Sequence, residues 1–190
     1  IILGTASGVE ATFASLIIRL RDMQFLFEQR VQTHVYAGDN VLPDGVEGTA
    51  DDLKGRPKPL IFGEVFNFPA HDYCVNTSKL VYQVNDGAVF SIVAVYVGGV
   101  AWTRAANFNT VADLLAWTPT PSSATFATCL REGYFRLSDS PADGEVTADV
   151  KEGLQLPTGG GRDASGILEA LYNRAIQAGE LPEVSLAYRV

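Results

Sequence analysis

The stretch that most constrains this chain runs from residue 58 to residue 104. Within it Leu80, Tyr82 and Val84 alternate with Val81, Gln83 and Asn85. A period of two puts one apolar set on one face of a strand. Asp86-Gly87 follows, and Asp-Gly supplies the positive φ angles of a two-residue hairpin turn. Residues 89–97 then run back, with Val89, Val93 and Val95 on one face and Phe90, Ile92 and Tyr96 on the other. Gly98-Gly99 is a second hairpin turn, and Val100 begins a third strand. The pattern predicts a β-meander whose middle strand is apolar on both faces. Such a strand sits between two layers or against another subunit.

Around this centre the expected fold is mixed α+β and β-dominated: an antiparallel β-meander or barrel-like core with a C-terminal amphipathic helix. Strands are predicted at 9–20, 80–85, 89–97, 126–130, 134–137 and 146–150. A short helix at 23–29 follows Asp22 as its N-cap. Thr110-Val111-Ala112-Asp113 has the form of a capping box, opening a helix that Pro119 stops. Ile167, Leu168, Leu171, Ala175 and Ile176 recur at helical spacing between Asp163 and Gly179, a stripe for a helix over 163–178. The expected divisions are 1–36, a β-rich end with a short helix; 37–59, a long loop or linker; 60–155, the meander domain; and 156–190, a helix-containing segment. The chain opens Ile1-Ile2-Leu3 and closes in the strand-like run 186–190. The expectation is a piece of a longer protein.

Composition narrows the function classes. Fourteen Lys and Arg against 22 Asp and Glu give a net charge of −8. Nucleic-acid surfaces need clustered cations, so direct nucleic-acid binding is not expected. Hydrophobic residues make up 47%, enough for a packed core rather than global disorder. No apolar run reaches the ~18 residues of a membrane span.

The chemistry-bearing residues form no recognisable site. Residues 44–52 carry Asp44, Glu47, Asp51 and Asp52, but not the alternating spacing of a helix–loop–helix calcium site. His71 lies three residues before Cys74, and with His34 and Cys129 offers four possible zinc ligands. Structural zinc sites take two close pairs, and only one pair is present. Two widely separated cysteines make no disulfide framework, and both are expected as free thiols. Gly159-Gly160-Gly161-Arg162 precedes a helix but lacks the Lys-Ser/Thr of a nucleotide loop. No catalytic, cofactor-binding or metal residue is assigned on these grounds.

Several ordered patches nevertheless form a pattern. They are Ile18-Arg19-Leu20-Arg21-Asp22, Tyr36-Ala37-Gly38-Asp39-Asn40, residues 47–59 (EGTADDLKGRPKP), Phe62-Gly63-Glu64-Val65-Phe66-Asn67, residues 80–87 (LVYQVNDG), residues 95–99 (VYVGG), residues 133–137 (GYFRL), Ser140-Pro141-Ala142 and residues 146–150 (VTADV). In this order they resemble the minor tail proteins of tailed, siphophage-type bacteriophages. The resemblance covers roughly residues 18–150. It implies a structural virion protein of the baseplate or tail-tip hub, a homo-oligomeric ring that continues the tail tube and anchors fibres. It implies residues 1–36 as the end of a preceding hub domain, assembly in the bacterial cytoplasm, partners among tail-tip, tail-tube and fibre proteins, and no catalytic motif. Interface candidates are Asp39, Asp44, Glu47, Asp51, Asp52 and Trp102. The competing expectation is a carbohydrate-binding β-domain of an adhesin, with Trp102, Trp117, Tyr82 and Tyr96 as stacking platforms.

Overall fold

The computed structural model describes residues 4–13, 15–22, 32–141 and 144–151. The helices expected at 23–29 and 163–178 lie outside them. The chain divides into two compact units, Ile1–Val31 with Tyr172–Val190, and Gln32–Leu171.

In the first unit, β1 (Gly4–Ala11) and β2 (Leu16–Asp22) form an antiparallel hairpin. The single strand expected over 9–20 is therefore two strands. Thr12 and Ser15 make the turn: the Thr12 N–H donates to the Ser15 carbonyl at 2.8 Å, and the Ser15 N–H donates to Thr12 Oγ1 at 3.1 Å. A hydroxyl that bonds the backbone locally competes with a sheet ladder.

The second unit is a curled eight-stranded sheet, a half-barrel. Its strands are β3 (Glu64–Phe68), β4 (Cys74–Asn76), β5 (Val81–Gln83), β6 (Ser91–Val97), β7 (Val100–Asn107), β8 (Thr125–Cys129), β9 (Tyr134–Leu137) and β10 (Val146–Lys151). Their order is β3-β10-β6-β7-β8-β9-β5-β4. A six-residue helix, α1 (Val111–Ala116), joins β7 to β8, which run parallel. Every other pairing is antiparallel. Thr110 caps the helix as expected: its Oγ1 accepts from the Asp113 N–H at 3.2 Å, while the Asp113 carboxylate reaches back to the Thr110 hydroxyl, which donates to Oδ2 at 2.7 Å, where a capping box would engage the backbone N–H.

The Gly98-Gly99 turn forms as predicted, with φ of 56° and 79° and Val97 paired to Val100. The Asp86-Gly87 hairpin does not form. β5 pairs with β4 and β9, and three strands separate it from β6. Asn85 is the reason. The alternation places it outward, yet it is fully buried. Its Oδ1 accepts from the Ile61 N–H at 2.9 Å, and its Nδ2 donates to the Gly87 and Ala88 carbonyls. These bonds close the chain into a loop where a ladder would otherwise continue. Gly133 packs under this loop. A Cβ there would lie 2.4 Å from the Asn85 carbonyl oxygen, and its φ of 74° suits glycine.

The curl brings both ends of the sheet onto one inner core. Phe68, Ile92, Val95, Val146, Ala148 and Val150 pack with Tyr82, Phe126, Phe135 and Leu137. Tyr82 stacks on Phe135, and Phe126 meets Phe135 edge-on. A second core covers the outer face of β4, β5, β8 and β9: Val75, Val81, Ala127, Cys129 and Tyr134 with Leu114 of α1 and with Tyr36 and Leu53. All residues of β5 are buried, as are residues 126–129 of β8.

The strands buried on both faces are therefore β5 and β8, and the expectation that 89–97 lies between two layers is corrected. In β6, Ile92 and Val95 are buried while Val93 is 53% exposed. Asp149 of β10 faces Ala94 and Val150 faces Ile92, so Val93 is the extra residue of a β-bulge. The bulge shifts the phase of the alternation and turns Val93 outward.

Candidate functional site

Residues 32–59, expected as a linker from 37 onward, form a strap built into the fold. Its two ends run antiparallel. Val35 bridges Pro57, the Tyr36 N–H donates to the Arg56 carbonyl at 3.0 Å, and the Lys58 N–H donates to the His34 carbonyl at 3.0 Å. Tyr36 and Leu53 are 1% and 2% exposed and belong to the second core. Their apolar side chains, seventeen residues apart in a polar sequence, showed no period by which to recognise a packed element.

Asparagines fasten the strap to edge strand β4. Asn40 Nδ2 donates to the Val75 carbonyl at 2.6 Å, and the Gly48 N–H reaches the same oxygen at 3.1 Å. Asn76 Nδ2 donates to the Pro43 and Gly45 carbonyls at 2.9 and 2.8 Å, and its Oδ1 accepts from the Lys79 N–H. Asn76 is 1% exposed, so these bonds are needed to satisfy it. An open sheet edge invites pairing with other chains; the strap covers this one.

The acidic residues singled out in the sequence separate into two groups. Glu47 is held in the fold: its Oε1 takes the Lys58 ammonium and its Oε2 accepts from the Ala37 N–H at 3.1 Å. Asp44 receives Lys79 Nζ at 2.8 Å, although the Asp44 side chain is 72% exposed. Asp52 accepts from the Thr49 hydroxyl. Asp39, Asp51 and Asp52 are exposed on the strap. Among the described residues no group of three or more His, Cys, Asp or Glu is placed to hold a metal ion.

Trp102 lies away from the strap. It pairs with Val95 across β6 and β7 and packs partly buried against the inner core. The other aromatics named as stacking platforms are also committed. Tyr82 is 4% exposed. Trp117 lies 5.8 Å from the Arg136 guanidinium. The Tyr96 hydroxyl donates to Asp149 Oδ2 at 3.0 Å, and this bond raises its pKa.

Among the described residues no hydrogen bond joins His71 to Cys74. His71 lies 3.6 Å from Asp72 on a 3-10 turn, Ala70–Tyr73. Cys74 and Cys129 are both free thiols. Burial pushes the Cys74 thiol up to about 11, against small lowering contributions from Asn76 and Tyr82. Burial also raises Cys129. A thiol held protonated is a poor nucleophile.

The role of Arg136 has no signature in the local sequence. Its Nη1 donates to the carbonyls of Leu114, Leu115 and Trp117 at 3.0, 2.9 and 2.7 Å, and its Nε donates to the Lys79 carbonyl at 2.9 Å. It thus caps the C-terminal end of α1 from β9, matching cation to helix dipole. Burial lowers its pKa.

No family model matches the chain, and no curated protein and no solved structure was found similar to it. Among the described residues, no helix is long and apolar enough to cross a membrane.

Proposed function

We propose that this chain is a structural virion protein of a tailed bacteriophage, a component of the baseplate or tail-tip hub. In this reading it forms a homo-oligomeric ring at the distal end of the tail tube, binds tail-tip, tube and fibre proteins, and performs no catalytic step. It assembles in the host cytoplasm and works in the virion. The observation that carries the proposal is the ordered set of sequence patches between residues 18 and 150. The strap adds support. It holds the patch residues Tyr36, Asn40, Glu47 and Leu53 in a defined arrangement, which suits a scaffold that presents Asp39, Asp51 and Asp52 to neighbouring subunits. The carbohydrate-binding reading draws less support, because of its four aromatics Tyr82 is buried and Trp102, Trp117 and Tyr96 are only partly exposed.

Immunogold electron microscopy of the parent particle tests the proposal. Label confined to the tail tip is the expected result. Label on the capsid or along the tail shaft, or purified particles that lack the protein, would overturn it. Asp51→Lys with Asp52→Lys should leave the monomer folded and reduce its incorporation into particles, read by quantitative blotting of purified virions.

A further inference from the structure

β7 is an interior strand of the eight-stranded sheet, with β6 on one side and β8 on the other, yet none of its residues is buried. The other interior strands, β10, β6, β8, β9 and β5, all carry buried residues. β7 pairs with β6 over residues 100–102 and with β8 over residues 103–107. It hands over from one part of the curled sheet to the other, and each half is paired on one side. Trp102 stands opposite Val95 and Arg104 opposite Phe126, both inner-core residues. Period two thus sets Trp102 and Arg104 side by side on one face of β7. Trp102 is half-buried and Arg104 is exposed. Arg104 makes no ion pair among the described residues.

A surface of this composition suits an anionic partner. Trp and Arg are enriched among the residues that carry interface energy, and the guanidinium fork matches a carboxylate with two parallel hydrogen bonds. The chain presents such carboxylates elsewhere. Asp39, Asp51 and Asp52 are exposed on the strap, and none of them makes an ion pair among the described residues. The turn that carries Asp51 and Asp52 is held in place. Leu53 is buried, its N–H donates to the Thr49 carbonyl at 3.2 Å, and the Gly55 N–H donates to the Tyr36 carbonyl at 2.9 Å. A preordered turn loses little freedom on binding. With a net charge of −8 on each chain, two copies repel one another in general. A contact that sets these acids on Arg104 reverses that sign locally and fixes the orientation.

We infer that the Trp102–Arg104 face of β7 receives the Asp51–Asp52 turn of a second copy. Trp102 lies away from the strap, so the contact joins two different surfaces. Such a head-to-tail contact closes into a ring when its rotation allows. The inference rests on the homo-oligomeric part of the proposed function and names the two surfaces that meet.

Sedimentation equilibrium of the full chain tests it. Arg104→Glu should weaken self-association at least about tenfold, and so should Asp51→Lys with Asp52→Lys, because each sets like charges against one another. Arg131→Glu makes the same charge change at an exposed residue outside β7, and should leave association within about threefold of the unaltered chain. An equimolar mixture of the Arg104→Glu chain with the Asp51→Lys, Asp52→Lys chain should regain the association that each lost alone, since every strap then meets a face of opposite charge. Equal effects of Arg104→Glu and Arg131→Glu, or a mixture no stronger than its parts, would overturn the inference and leave the homo-oligomeric reading standing. An unaltered chain that stays monomeric up to ~1 mM would overturn both. A photo-cross-linker at position 51, in a mixture with isotope-labelled unaltered chain, gives a second measurement that does not depend on the charge variants folding. Capture of residues 100–107 of another copy is expected; capture of another segment, or of none, refutes the contact.

Discussion

The Tyr36 hydroxyl is buried with no hydrogen-bond partner among the described residues. Its ring is useful, filling the second core and lying 5.4 Å from the Lys58 ammonium. Its hydroxyl is a cost, since an unmet buried polar group forfeits its hydration. Burial raises its pKa, as do the nearby Tyr134, Tyr73, Glu47 and Asp86. Tyr36→Phe keeps the ring and removes the orphan, and should stabilise the fold by about 1 kcal/mol in urea denaturation. Cys74 gives a pH-dependent prediction. Its pKa rises from 9.0 to about 11 on folding, so the folded state favours the protonated thiol. That contribution to stability is complete below pH ~9 and is lost as pH rises through ~11. At pH 8 the native thiol should react with iodoacetamide about a hundredfold more slowly than the same thiol in urea, because its thiolate fraction is lower by that factor. Neither role was legible in the sequence. A tyrosine or a cysteine reads the same whether buried or exposed, until a distant segment folds over it.

At the scale of elements, local chemistry was readable and pairing was not. The Thr110 cap and the Gly98-Gly99 turn depend on residues within four positions of one another, so spacing alone specifies them. The failure at Asp86-Gly87 has a long-range cause: Asn85 bonds to Ile61, 24 positions away. The parallel β7–β8 pair was also missed, because the pairing of two strands is not written in either of them. β6 shows the same limit in miniature. Its alternation reads correctly only up to the bulge, which is set by β10. Val93→Asp tests the bulge, because a strand with residue 93 buried between two layers would not accommodate the charge. With Val93 53% exposed, it should change stability by less than about 1 kcal/mol. Val95→Asp, at a fully buried position two residues on, should abolish folding, since an unpaired carboxylate would enter the inner core. Circular dichroism of the two variants separates these outcomes, and equal behaviour would contradict the bulge.

For the molecule as a whole, the division that matters runs between Val31 and Gln32 rather than between strap and sheet. The sequence suggested a boundary near residue 59, because glycine, proline and acidic residues crowd 37–59 without a period. Yet the strap, residues 32–59, provides Tyr36 and Leu53 to the second core and shields the β4 edge. Removing it would expose Val75, Val81 and Tyr134. The inner core draws on β3, β5, β6, β8, β9 and β10, and the second core on the strap, α1 and the outer face of β4, β5, β8 and β9. All the described residues of both cores therefore lie within the Gln32–Leu171 unit. A unit that encloses its own cores can fold by itself. Residues 32–171 expressed alone should unfold in one cooperative transition. Both tryptophans of the chain, Trp102 and Trp117, lie in this unit, so their fluorescence reports on it even within the full chain. The midpoint in urea should agree between fragment and full chain within the scatter of replicate titrations. A fragment starting at residue 60 should lose the transition, because it leaves the second core open to water. If the shorter fragment unfolded as cooperatively as the longer, the strap would be an accessory to this fold rather than a part of it.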